Sequence, residues 1–144
     1  MPSKRERVID AVTALVAATF PDAVVKRNAA KSAEIGAKGY IIVEDGDPGE
    51  PEVILSPVSY LYEHRIPVSV AVNPGTVEDA ESTLDDMLVI LGQAIAANRT
   101  LGGLCDWIEA EAPVTGAIED IGAVAARQGE TAILAIYATT NPLT

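Results

Sequence analysis

The chain has little of what catalytic and secreted domains are usually built on. One cysteine, Cys105, stands among 144 residues, so no internal disulfide framework forms and no redox pair exists; this fits a reducing compartment. One histidine, His64, is the only imidazole, and no Ser, Cys or Asp is placed by sequence to complete a triad with it. Aromatic residues number six (four Tyr, one Trp, one Phe), so Val, Ile, Leu and Ala must fill the core of a chain that is 49% hydrophobic. No apolar run reaches the length of a signal peptide or membrane span, which predicts a soluble protein with no membrane partner. No Gly-x-x-x-x-Gly-Lys occurs, and no Gly-x-Gly-x-x-Gly follows a strand, so Gly102-Gly103 is not a phosphate loop.

Basic residues are also scarce, ten against 21 acidic, giving a net charge of −11. Nucleic acid is thereby disfavoured as an attractive partner. The distribution is uneven: residues 1–40 carry seven basic and four acidic residues, net +3, and the rest carry three and 17, net −14. Such polarity suits head-to-tail contact between copies, or simply an acidic solvated surface.

What is present is a long alternating segment from Val58 to Asn73. Its even positions are Val58, Tyr60, Tyr62, His64, Ile66, Val68, Val70 and Val72, and its odd positions are mostly polar. Strand side chains alternate faces, so one face is apolar-aromatic. Counted with Ser56 and Pro57, the segment spans roughly 50–60 Å, which predicts a bent strand or two collinear ones. Pro57 and Pro67 favour an edge position or a bulge.

Around it, Ser3 and Glu6 form a capping box ahead of Val8, Ile9, Val12, Leu15 and Val16 at helical spacing. Phe20-Pro21-Asp22 ends that helix. Ala23 to Arg27 and Gly39 to Val43 read as strands, with a polar loop over Asn28 to Lys38. Glu44 to Glu52 holds five carboxylates in nine residues and joins the Tyr40 strand to the ribbon as an antiparallel hairpin. Thr76 caps a second helix whose apolar face is Ala80, Leu84, Met87, Leu88, Leu91 and Ile95. Asn98 to Leu104 breaks it, Cys105 to Glu111 and Thr131 to Thr140 read as strands, and Pro113 to Gly129 carries no clear pattern. The expected fold is α+β: one domain over 1–144, two main helices packed on a mixed or antiparallel sheet with a long β-hairpin.

Asp45, Asp47, Glu50 and Glu52 could gather a divalent cation, although their spacing is not that of a calcium loop. Asp85-Asp86 and Glu119-Asp120 read as solvated carboxylates. No cofactor is expected. Contacts between copies are assigned to Tyr60, Tyr62, His64, Arg65, Asp45 and Asp47, with Arg27, Lys31 and Lys38 as the complementary basic face. Arg27 and Asp47 are the pair expected to meet between copies.

Four phrases then carry a resemblance: Val25-Lys26-Arg27-Asn28, Asp45-Gly46-Asp47-Pro48, Tyr60-Leu61-Tyr62-Glu63-His64-Arg65, and Arg99-Thr100-Leu101-Gly102-Gly103-Leu104. In this order along nearly the whole chain they resemble the tail terminator family of long-tailed bacteriophages. The resemblance implies a non-enzymatic structural protein that assembles as a hexameric ring on the tail tube and stops its polymerisation. It also implies partners in the tail tube protein and the head–tail connector, and a place in the host cytoplasm during assembly and then in the virion tail. DNA would pass through the ring without specific binding. The alternatives are a neck or head–tail joining protein, a small transferase using His64 or Cys105, or a generic α+β ligand-binding module.

Overall fold

Ser3 starts the first helix by accepting the Glu6 N–H on its side-chain oxygen at 3.2 Å, half of the expected capping box. The computed structural model describes residues 2–29, 39–73, 77–117 and 126–144. Helix α1 (Lys4–Thr19) buries Val8, Ile9, Val12 and Val16 and ends where the Phe20 N–H bonds the Val16 carbonyl. Strands β1 (Val24–Arg27), β2 (Tyr40–Val43), β3 (Glu52–Ile54) and β4 (Ser59–Val72) follow, then helix α2 (Val77–Ala97) and strands β5 (Trp107–Ala110), β6 (Val114–Ala117) and β7 (Arg127–Thr139). The seven strands form one sheet ordered β1-β2-β4-β7-β5, with β3 beside β4 and β6 beside β7. Only β1 and β2 run parallel; every other pair is antiparallel. This is the expected α+β class with a mixed sheet.

The alternating segment is one continuous 14-residue strand rather than two. It stays extended because β7 pairs with it from Tyr60↔Thr139 to Val72↔Arg127, while β2 and β3 share its other side. It is central, not an edge, and Pro67 shows how a proline survives there. The Pro67 carbonyl accepts from the Glu44 N–H at 2.9 Å. In an antiparallel ladder a residue's N and O point the same way, so the missing N–H faces the side where β2 has ended at Val43. No bond to β7 is lost.

The register puts the even residues of β4 on one face with Ile41 and Val43 of β2, Ile133, Ala135 and Tyr137 of β7, and Ile108 of β5. These residues and the apolar stripes of both helices make one core. Gly129 lies on the same face opposite Val70; a Cβ there would stand 3.3 Å from Leu88 and 3.4 Å from Leu84, so glycine lets α2 lie close on β7. The opposite sheet face carries Leu61, Leu134, Ile136 and Trp107, and no described helix covers it.

Two strand starts differ from expectation. Strand β5 starts at Trp107, not Cys105, because Cys105 belongs to the turn in which its N–H bonds the Thr100 carbonyl. Strand β7 begins four residues earlier, at Arg127, and Val114–Ala117 pairs with that polar start. The cap expected at Thr76 and the carboxylates Glu119 and Asp120 lie outside the described residues.

Candidate functional site

The middle of β4 is fixed by the acidic segment that precedes β3. Asp47 bridges to Arg65, so this segment runs alongside the strand instead of capping its end. Gly46 makes the approach possible: its φ is +66°, and a Cβ would lie 1.9 Å from the Arg65 carbonyl oxygen. Only a residue without Cβ fits. The hairpin tip is therefore Leu55 to Val58, which is apolar, and not the carboxylate-rich turn.

His64 anchors the segment from inside. Its Nε2 lies 2.6 Å from the main-chain oxygen of Asp45, and its Nδ1 lies 2.9 Å from the Tyr137 hydroxyl. A carbonyl only accepts, so Nε2 carries the hydrogen and Nδ1 accepts from the Tyr137 O–H. The imidazole is neutral. Burial pushes its pKa below the ordinary value, and the bond to the Asp45 backbone only partly opposes that. Tyr137 is itself pushed up to about 12 by burial.

On the other side of Asp45, its carboxylate accepts from Arg27 Nε at 2.7 Å and Asn28 Nδ2 at 2.8 Å, while the Asp45 N–H donates to Asn28 Oδ1 at 2.9 Å. Arg27 also grips Glu6 at 2.5 and 3.0 Å and reaches Asp10 at 3.1 Å. The register explains this: Arg27 sits opposite Val43 on the helix side of β1, and Glu6 and Asp10 are one helical turn apart. The hydrogen bonds from Arg27 hold both Glu6 and Asp45 below the usual carboxylate range. Bonds to those two acids raise the arginine.

These contacts correct several assignments. Arg27 is satisfied within its own chain and meets Asp45, not Asp47. Tyr62 and His64 are core residues at 7% and 0% exposure, so neither side chain is presented to a neighbour; both lie on the even, inward face. Tyr60 is half-buried, packed on the core. Arg65 is exposed but forks onto Glu111 at 2.9 to 3.1 Å, and that pairing raises its pKa. Lys31 and Lys38 lie outside the described residues.

The four carboxylates considered for a cation do not converge. Asp45 is held by Arg27 and Asn28, and Asp47 accepts the Gly49 N–H at 2.8 Å. Glu50 and Glu52 are exposed. Among the described residues no three His, Cys, Asp or Glu side chains form a group that could hold a metal. The transferase alternative finds little support either, since both ring nitrogens of His64 are engaged in the core. Cys105 is buried, and burial pushes its thiol up to about 11.

Sequence reasoning missed a second device. The free edge of β5 is sealed by Arg99: its carbonyl accepts from the Ile108 N–H at 2.7 Å and its guanidinium donates to the Ile108 carbonyl at 2.8 Å. The same guanidinium lies 4.6 Å over the Trp107 ring. An arginine placed between a helix end and an aromatic strand was the available signal. At the hairpin end nothing comparable among the described residues covers Val53, Ile54, Leu55 and Val58, exposed at 51, 49, 74 and 41%.

No protein-family model matches the chain, and no curated protein matches it. Among solved structures, the fold is similar to a chain described as "Virion of native gene transfer agent (GTA) particle". The identity is 12% and the TM-score 0.44, over 92% of this chain and 95% of that chain.

Proposed function

We propose that the protein is a structural subunit of a phage or prophage tail, a tail terminator that forms a closed ring on the end of the tail tube, stops its growth and offers a surface to the head connector. The observation that carries the family reading is where its phrases fall. Arg27 and Asn28 of the first phrase, Asp45 of the second and His64 of the third join in one hydrogen-bonded network, and the fourth phrase supplies Arg99, which seals β5. The first three phrases, separate stretches of weakly patterned sequence, thus share one structural purpose. They brace a long central strand whose apolar tip is left in water, which favours assembly over catalysis. The reading includes six copies per ring, contacts to tube and connector proteins, and a lumen acidic enough for DNA to pass without adhering.

The test is length control. Purified tube protein polymerising in the presence of this chain should give short tubes with a ring at one end in electron micrographs. Tubes that grow to the same length with bare ends would exclude termination, and a ring bound to the connector alone would identify a neck protein instead.

A further inference from the structure

The two ends of α1 differ in a way that points to how copies meet. At its start, Arg5 lies beside Tyr62 and Thr139, and the Lys4 N–H bonds the Thr144 carbonyl at 2.7 Å. Thr139, Tyr60 and Val53 form one row across β7, β4 and β3 on the helix-side face. The exposed apolar hairpin end and the exposed Arg5 therefore share a side. Glu52 stands opposite Leu61 on the other face and does not dilute this charge.

Sixteen residues later, about 24 Å along the helix, the other end of α1 opens onto α2. A groove of about 320 Å³ there is lined by Phe20, Ala23, Met87 and Ile90, with Asp22 in its wall. Ile90 is 44% exposed, and Asp86 is exposed one turn from it on the same stripe. Neither Lys4 and Arg5 nor Asp22 and Asp86 form ion pairs among the described residues. Lys4, Arg5 and Asp22 oppose the α1 macrodipole: cations at its positive end, an acid just past its negative end. Each would be relieved by the other.

We propose that the hairpin end of one copy docks in the α1–α2 groove of the next, Val53 and Val58 entering the groove while Lys4 and Arg5 face Asp22 and Asp86. The contact is heterologous, so it propagates until the rotation closes a ring. It specifies the subunit contact of the ring proposed above and rests on that reading.

Cysteine pairing tests it directly. The Val58→Cys/Ile90→Cys double variant, mildly oxidised, should give a ladder of covalent oligomers on a denaturing gel. A mixture of the two single variants should give dimer only, and either single variant alone should stay monomeric. Tip-to-tip dimers of Val58→Cys alone, or no cross-link in the double variant, would overturn the contact. In parallel, Arg5→Glu and Asp86→Lys should each weaken association roughly tenfold and together restore most of it; no rescue would also count against the pairing. If Ile90→Asp assembles like the wild type, this contact fails and the ring reading stands. If the wild type is monomeric at every concentration, both fall.

Discussion

His64 donates its Nε2 hydrogen to the main-chain carbonyl of Asp45 across 2.6 Å, and this one bond ties the segment before β3 to the centre of the sheet. The carbonyl accepts only, which fixes the hydrogen on Nε2, burial disfavours the charged ring, and Tyr137 partners the other nitrogen. Replacing His64 with alanine should destabilise the fold by on the order of 2–4 kcal/mol, since a cavity opens and two buried partners lose their bonds. Urea unfolding followed by circular dichroism measures it. A change under about 0.5 kcal/mol, the range of neutral surface substitutions, would show that the network does not brace the strand.

The same bond gives a pH dependence with a definite sign. The folded-state pKa of His64 is lowered from 6.5, so between the two values the unfolded chain binds the proton and the folded chain does not. Its contribution is fully present above about pH 6.5 and is lost as pH falls toward the folded value. Glu6 and Asp45, also lowered, contribute above the usual carboxylate range and lose that contribution in more acidic solution. Denaturation midpoints should thus fall in two steps on acidification, and His64→Gln should remove the upper one. An upper step that survives in His64→Gln would assign it to another group.

Gly46 and Gly49 offer a controlled comparison. Both have positive φ, +66° and +70°, but a Cβ at Gly46 meets the Arg65 carbonyl at 1.9 Å while at Gly49 nothing lies within 4 Å. Gly49→Ala should cost about 1 kcal/mol. Gly46→Ala should cost more than about 3 kcal/mol, because backbone must move. Equal losses would mean that the segment does not press on β4 at Gly46.

Arg99→Ala should expose the backbone of β5 and leave Trp107 without its cation. We expect a shift in tryptophan emission, clean to read because Trp107 is the only tryptophan, and faster aggregation through the opened edge. Unchanged emission and unchanged light scattering would contradict the sealing role.

Cys105 should be inert in the native state. Burial at 4% exposure and a pKa pushed up to about 11 keep it a protonated, shielded thiol. A chromogenic disulfide reagent at pH 8 should label it only after urea is added; rapid native labelling would refute its burial.

Much of the fold was legible because it follows from local rules. Ser3 and Glu6 announced α1, the even positions of β4 announced its buried face, and the stripe from Ala80 to Ile95 announced α2. The site was less legible because its bonds are long-range and partly to backbone. Alternation put His64 beside Tyr60 and Tyr62 but could not say whether that face met a core or a neighbour. Nothing local marks the Asp45 carbonyl as its partner, or Asp45 rather than Asp47 as the partner of Arg27. Pro67 reads as an edge signal, and only the end of β2 at Val43 explains why it is not one. Arg127 to Glu130 is too polar to read as strand; it is one because both β4 and β6 pair with it.

As the repeating subunit of a closed ring, this chain should assemble without any other protein. Native mass spectrometry of the full chain across concentration tests it most directly. A ring subunit should give one dominant closed oligomer, six copies in the proposed function, with little population of intermediate sizes. A strict monomer at every concentration and magnesium level would contradict it.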